Sequence, residues 1–328
     1  MPAHHTARQF WVKSPGQSEI RHVRLNPRND GDVLVRTVFS GISRGTESLV
    51  FRGEVPPSMY ESMRAPFQDG EFPGPVKYGY SSVGVVEEGP SSLIGKAVFC
   101  LYPHQDFYHV QAEAVQCVPE GVPARRAVLA ANMETAVNIL WDARPCVGDR
   151  VVVIGAGVVG LLVATLCQDI PGCEVIVVDP LETRKTIAAE LGLAWQCAVP
   201  TLPSADLVVH SSGTVEGLRA SLTVAGPEAT IVDASWYGTQ DVPLPLGERF
   251  HSARLTIKSS QVGRLPPERL NRWTRSSRLR LALELLHDKR LDVLINQQSA
   301  FEELPSVMSK LSLGPSETLC HLVHYDVP

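Results

Sequence analysis

Residues 151–160 read Val-Val-Val-Ile-Gly-Ala-Gly-Val-Val-Gly: four β-branched residues run straight into three glycines spaced G-x-G-x-x-G. A buried strand of this kind must stop, turn tightly and feed a helix whose first N–H groups point at an anion. Gly155 makes the turn. Gly157, lacking a Cβ, lets the backbone approach a pyrophosphate, and Gly160 lets the helix pack close to the strand, with Val158 and Val159 beneath the diphosphate. The spacing alone is a weak signal, and its surroundings give it weight. An apolar, helix-compatible run follows, Leu161–Cys167, and then a second buried strand, Glu174–Asp179, ends in a carboxylate 19 positions after Gly160. An acid there accepts from a ribose 2′-OH and repels a 2′-phosphate, so Asp179 argues for NAD rather than NADP. Arg184, five residues later, can approach the adenosine ribose. The same glycines also fit a ligand-free turn in an α/β core, or a nucleoside methyl-donor site.

Around this unit the chain changes character twice. Phe10-Trp11-Val12, Ile20–Leu25 and Val33–Val38 alternate as short strands separated by turn residues. Ser40–Glu47, Ser-Gly-Ile-Ser-Arg-Gly-Thr-Glu, reads as a polar loop leading into a short helix, and a Pro- and Gly-punctuated loop extends to Pro75. Strands are expected at Val83–Glu87, Ala97–Leu101 and Phe107–Gln111. From Ala127–Trp141, apolar at helical spacing, strands alternate with helices: Leu181–Leu191, Asp206–His210, Val215–Val224, Thr230–Ala234 and Leu255–Ser259. That alternation specifies a parallel, doubly wound sheet. Ser211-Ser212-Gly213, Ser235 and Ser259-Ser260 end strands at its carboxyl edge, where ligands bind. The tail predicts a long amphipathic helix over Glu268–Asp288 and strands at Leu291–Ile295 and Leu319–Val323 that rejoin the first, β-rich unit.

Composition narrows the function. At 328 residues there is room for two domains. The net charge of −5, with no basic block, gives nucleic acid nothing to bind. No apolar run reaches the ~18 residues of a membrane span, and Met-Pro-Ala-His-His has no apolar signal core, with His4 and His5 read as a disordered terminus. Seven scattered cysteines without a C-x-x-C pair suit free thiols in a reducing cytoplasm.

The loop at 40–47, the segment Gly79-Tyr80-Ser81-Ser82-Val83-Gly84-Val85-Val86, Glu134 and the glycine motif together resemble the medium-chain dehydrogenase/reductases of the zinc-type alcohol dehydrogenase superfamily. The likeness covers nearly the whole chain. It is greatest to the sorbitol and threonine dehydrogenase branch and, more so, to the bacteriochlorophyllide hydroxyethyl dehydrogenase branch, which shares a Gly-Ile-Ser-x-Gly-Thr-Glu loop. The resemblance implies an α/β architecture: a GroES-like β-barrel domain split in sequence (1–128 and 264–328) plus a Rossmann doubly wound parallel sheet (129–263). It also implies hydride transfer to or from a secondary alcohol or carbonyl in an interdomain cleft, a small-molecule substrate, and a homodimer or homotetramer. Fold does not carry substrate with it. Reduction of an activated C=C bond, quinone oxidoreductase-like, and nicotinamide binding without turnover are the alternatives.

Zinc members of the family place Cys where Ser43 stands and Gly-His-Glu where this chain has Gly79-Tyr80-Ser81, with Glu134 in the third ligand region. A catalytic zinc needs about three ligands drawn from thiolate, imidazole and carboxylate. No catalytic zinc is therefore expected. His104 and His109, with Asp106 between them, read as solvent-exposed or locally hydrogen-bonded. Tyr80, at the position of the family's histidine, is a candidate general acid with its pKa lowered by Lys77, or else a filler of the space a metal left. Tyr78 has the same chemistry two positions away. Ser43 or Thr46 could relay a proton, and Arg44 stands where relatives contact the cofactor diphosphate; Glu47 and Glu134 could pair with Arg44 or Lys77. The loop from Gly53 to Pro75 and the Trp236-Tyr237 pair are candidate linings for the substrate pocket.

Overall fold

The computed structural model describes residues 6–201, 204–314 and 316–326, so His4 and His5 lie outside the described residues. The chain divides into two compact units, Met1–Ala131 with Leu279–Pro328, and Asn132–Arg278.

The first unit opens with β1 (Thr6–Ser14), β2 (Gln17–Arg24) and β3 (Asp32–Ile42). β3 runs through Ser40 and Ile42, and helix α1 (Arg44–Arg52) starts two residues later, so the expected polar loop is divided between the end of a strand and the start of a helix. Short β4 (Asp69–Gly70) and β5 (Val76–Lys77) precede β6 (Ser82–Glu88), β7 (Ala97–Cys100), β8 (Phe107–Gln111), β9 (Gln116–Cys117) and a turn of helix, α2 (Ala124–Ala127).

Helix α3 (Ala130–Ala143) carries the chain into the second unit. There β10 (Arg150–Ile154), α4 (Val158–Gln168), β11 (Glu174–Val178), α5 (Thr183–Glu190), β12 (Ala194–Gln196), β13 (Ala205–His210), α6 (Val215–Val224), β14 (Ala225–Asp233), α7 (Arg249–Ser252) and β15 (Thr256–Ser259) follow in turn. All six strands are parallel in the order β12-β11-β10-β13-β14-β15. Numbered within the unit this is 3-2-1-4-5-6, the dinucleotide-binding order whose direction reverses between β10 and β13. Val151, Val153, Val208, Val209, Ile231 and Val232 are fully buried, as strands covered on both faces require.

The predicted helix over 268–288 is shorter. A 3-10 turn occupies Pro267–Arg269 and α8 covers Arg275–Leu285. Residues 264–278, expected in the split domain, belong to the second unit. The physical tie is Arg278, 2% exposed, whose guanidinium donates to Glu134, Asn138 and the Val262 carbonyl of that unit. After α8 the expected strand at Leu291–Ile295 is a 3-10 turn, Lys289–Leu294, leading into β16 (Ile295–Ala300). Helix α9 (Leu304–Leu311) and β17 (Cys320–His324) complete the chain. In the first unit β2-β1-β5-β4 form one sheet, and β16-β17-β3-β6-β7-β9, with β8 against β3, form another. Val33, Val35, Val86, Val98, Tyr108 and Val110 make one of its cores.

Candidate functional site

Two clusters of polar side chains stand out, one in each unit. In the first, Ser43 is the N-cap of α1, and Glu47, one turn in, reaches back so that its Oε1 accepts from the Ser43 N–H at 2.7 Å. This satisfies one of the unpaired donors that every helix start leaves. The carboxylate is 3% exposed, and its second oxygen lies 2.9 Å from His104 Nε2. His104, 1% exposed, places Nδ1 2.7 Å from Ser40 Oγ, which sits 2.9 Å from the Tyr325 hydroxyl. His104 is thus neither exposed nor locally bonded. Its partners are 57 and 64 residues away. Glycine makes room for it: a Cβ on Gly79, whose φ is +136°, would meet the ring at 3.1 Å. His109 is half-buried on β8, and Asp106 instead takes the Arg8 guanidinium at 2.7 Å.

Tyr80 is half-buried. Desolvation, helped by the nearby Glu47 carboxylate, pushes its phenol up to about 12. The expected lowering by Lys77 is not found. Lys77 Nζ turns to Gln105 Oε1 at 3.1 Å, lies over the Tyr102 ring and is 3.9 Å from Asp69. Burial lowers its own pKa, against the pull of Asp69. Tyr78 is buried and raised by desolvation. Ser81 donates to the Val128 carbonyl at 2.5 Å. Glu47 pairs with His104 rather than with Arg44 or Lys77, and Arg44 opens α1 with its guanidinium 3.5 Å from the Gly314 carbonyl.

In the second unit the glycine turn follows β10 directly. Gly155 adopts φ +107°, and a Cβ there would stand 2.7 Å from the Ser212 nitrogen. On Gly160 it would lie 2.0 Å from the Gly155 carbonyl oxygen. Gly157, the N-cap of α4, has open space where its Cβ would be, and Val158 and Val159 begin the helix half-buried. Asp179 directly follows β11, with one carboxylate oxygen accepting from the Ala156 N–H at 2.8 Å and the other from the Leu181 N–H at 2.9 Å. It therefore staples the glycine turn to the neighbouring strand, with lone pairs left over. Arg184 lies inside the unit at 2% exposure. Glu134 is buried against Arg278 at 3.1 Å; burial raises its pKa and the guanidinium opposes the rise.

Sequence reasoning missed the groups behind Ser212. His210, the last residue of β13, pairs in register with Ile154 on one side and Asp233 on the other. Its Nδ1 is 2.9 Å from Asp233 Oδ1 and its Nε2 2.7 Å from Ser212 Oγ. The Tyr237 hydroxyl donates to Asp233 Oδ2 at 3.0 Å, and Ser235 Oγ stands 3.2 Å from His210 Nδ1. The Trp236 indole N–H beside them is buried without a hydrogen-bond partner. Ser259 is exposed, and Ser260 donates to Asp142 at 2.7 Å. The signal available in the sequence was a histidine at the end of a buried strand two residues before a predicted ligand-binding serine.

No family model matches the chain. Among curated proteins it is similar to 2-dehydro-3-deoxy-L-galactonate 5-dehydrogenase of Pseudoalteromonas atlantica, 26% identical over 157 residues, covering 44% of this chain and 46% of the relative. Longer matches reach an uncharacterized zinc-type alcohol dehydrogenase-like protein of Haemophilus influenzae (22% identical; 94% of this chain, 96% of the relative) and D-guloside 3-dehydrogenase of Escherichia coli (24%; 88% and 91%). Among solved structures, one described as a short chain alcohol dehydrogenase from Escherichia coli CFT073, complexed with NADH, superposes with a TM-score of 0.76 at 18% identity over 97% of this chain and 99% of that one. A zinc-binding dehydrogenase, so described, from Sinorhizobium meliloti 1021 bound to NADP gives 0.76 at 18% over 98% and 99%.

Proposed function

From the premise that the chain is a distant medium-chain dehydrogenase/reductase, by fold and by sequence, we propose that it is an NAD(H)-dependent, zinc-independent oxidoreductase acting on a secondary alcohol or carbonyl. The observation that carries this reading is a contrast between the units. The second unit keeps its glycine turn with Asp179 bonded to it, while neutral hydroxyls, Ser43 and Tyr80, stand where the resemblance implies metal ligands.

The donor set does not fit zinc. Ser43 and Tyr80 offer hydroxyls, and the phenol is pushed up to about 12, so neither supplies an anion near neutral pH. Glu47 is already satisfied by the Ser43 N–H and His104, and Glu134 by Arg278. Among the described residues no three of His, Cys, Asp and Glu are grouped to hold a metal ion. No step is therefore assigned to a metal.

The second unit fits a dinucleotide. Gly157 leaves the backbone open to a diphosphate at the start of α4, Gly155 and Gly160 allow the tight turn and the close helix packing that bring it there, and Val158 and Val159 lie in the first turn. Asp179 keeps acceptor capacity for a ribose hydroxyl, which favours NAD over NADP. Ser212 stands beside the glycine turn and Arg44 is a further candidate for cofactor contact, whereas Arg184, 2% exposed, is packed inside the unit. A bound nicotinamide supplies the hydride donor or acceptor.

Tyr80 is the proton donor in this reading. A phenol that stays protonated through the neutral range hydrogen-bonds a carbonyl oxygen and yields its proton as alkoxide character develops. Ser43 and Thr46, whose side chains favour the phenolate, are in this reading the route by which it is reprotonated. Lys77, turned to Gln105, acts at most through packing.

The test is a substrate panel of secondary alcohols, ketones and enones with NAD(H) and NADP(H), run on chelator-treated protein and on Tyr80→Phe. We expect NAD(H)-linked turnover that survives chelation, and a maximal rate at least tenfold lower in Tyr80→Phe with NADH affinity unchanged. Stoichiometric zinc by elemental analysis, with loss of activity on its removal, overturns the metal-free reading. Turnover of enones alone replaces carbonyl with C=C chemistry, and nucleotide binding with a silent panel leaves a non-catalytic binder.

A further inference from the structure

The strand order of the parallel sheet reverses between β10 and β13, and the two segments leaving those strands are packed together. The Ser211 N–H donates to the Ile154 carbonyl at 2.9 Å and its Oγ to the Gly155 carbonyl at 3.2 Å. Gly155 has no room for a Cβ against the Ser212 backbone. Ser212 is half-buried, at the edge where this fold takes its ligand. Its hydroxyl is tied to His210 Nε2 at 2.7 Å and to Thr214 Oγ1 at 2.9 Å.

We propose that the buried His210–Asp233 pair positions the Ser212 hydroxyl and couples nicotinamide dinucleotide binding to uptake of one proton. This rests on the dinucleotide reading above and adds a role to it. When the imidazole is neutral with its hydrogen on Nδ1 facing Asp233, Nε2 is an acceptor. The Ser212 O–H is then spent on it. When the imidazole is protonated, Nε2–H donates to Ser212 Oγ and frees the serine hydrogen for an oxygen of the ligand. The cation also faces the switch point that would hold an anionic diphosphate.

The surroundings make the device specific. From β14 and the loop after it, Asp233, Ser235 and Tyr237 face Nδ1. From α6, Gly217 leaves space for the ring, since a Cβ there would lie 2.7 Å from Nε2. β10 contributes apolar Ile154. The charged group against the ring is Asp233. Burial raises its pKa, but hydrogen bonds from His210, Ser235 and Tyr237 outweigh that and hold it below the usual carboxylate value. Tyr237 is raised by burial and by Asp233, so it stays a neutral donor. Asp233 thus remains an anion able to support an imidazolium.

The linkage has a sign. If the protonated state binds the dinucleotide better, the Kd for NADH falls as pH falls, by about tenfold per pH unit at most for one proton. NADH is titrated by fluorescence from about pH 8.5 to about pH 5.5. The titration is run on wild type, His210→Gln and Asp233→Asn, with circular dichroism to confirm folding. We expect several-fold tightening in wild type and a flat profile in His210→Gln. A flat wild-type profile, or an unchanged slope in His210→Gln, overturns the proposal. If the variants do not fold, calorimetry of NADH binding to wild type in two buffers of different ionisation enthalpy decides: net proton uptake supports the coupling, and none overturns it. Absence of NADH binding at every pH instead removes the dinucleotide reading on which the coupling rests.

Discussion

Removing His104 tests whether the buried Glu47–His104 contact holds the first unit's polar cluster together. Both side chains are nearly inaccessible, 3% and 1% exposed, and the other Glu47 oxygen accepts from the Ser43 N–H. His104→Ala deletes that contact and the one to Ser40, opens a void against Phe10, whose ring lies edge-on at 6.1 Å, and leaves a carboxylate short of a donor. Breaking a buried charged contact from one side costs about 3–5 kcal/mol. Glu47→Gln keeps the shape, still accepts from Ser43 and can offer its amide to the ring, so about 1 kcal/mol is expected. The double variant leaves an amide rather than a carboxylate without its partner. It should be less destabilised than the two single changes together, by about 1–3 kcal/mol. Because the two units need not unfold together, the measurement is urea-dependent hydrogen exchange of β3 and α1 peptides, which reports on the first unit by itself. His104→Ala costing under about 1 kcal/mol, or the two changes adding within about 0.5 kcal/mol, refutes the reasoning.

Other perturbations have equally definite outcomes. Gly160→Ala drives a methyl to 2.0 Å from the Gly155 carbonyl and 2.6 Å from Ser211 Oγ. It should abolish NADH binding, seen as lost fluorescence transfer, and lower the melting temperature; normal affinity would mean that the turn does not carry the ligand. Tyr80 binds its proton more tightly folded than unfolded, so its contribution is complete below about pH 10 and is lost as pH rises towards about 12. Wild type should therefore lose more stability than Tyr80→Phe over that interval in alkaline urea titrations, and parallel losses would contradict the burial of the phenol.

The second unit was largely legible before its structure because its signals are local. The β-branched run before Gly155 and the strand ending at Asp179 lie within 29 residues, and their buried parallel pairing follows from composition and spacing. The first unit's strands were also visible. The helix expected over 268–288 was overextended, because an amphipathic run does not show where Pro266 and Pro267 confine the chain to a 3-10 turn. Lys77 was placed beside Tyr80 by sequence proximity, yet the structure turns it towards Gln105, 28 residues away.

What the sequence determined by itself is the cofactor half: a parallel doubly wound sheet, a glycine turn and an acid at the end of the next strand. It also singles out Ser43 and Tyr80, at positions where the resemblance implies metal ligands. Tertiary structure decided which groups surround them. Glu47 meets His104 across 57 residues, and His210 meets Asp233 across 23. Such pairs depend on strand register and on the space left at Gly79 and Gly217. Hydrophobic periodicity specifies which face of a strand is buried, but a buried polar group takes whichever partner the packed chain brings within about 3 Å.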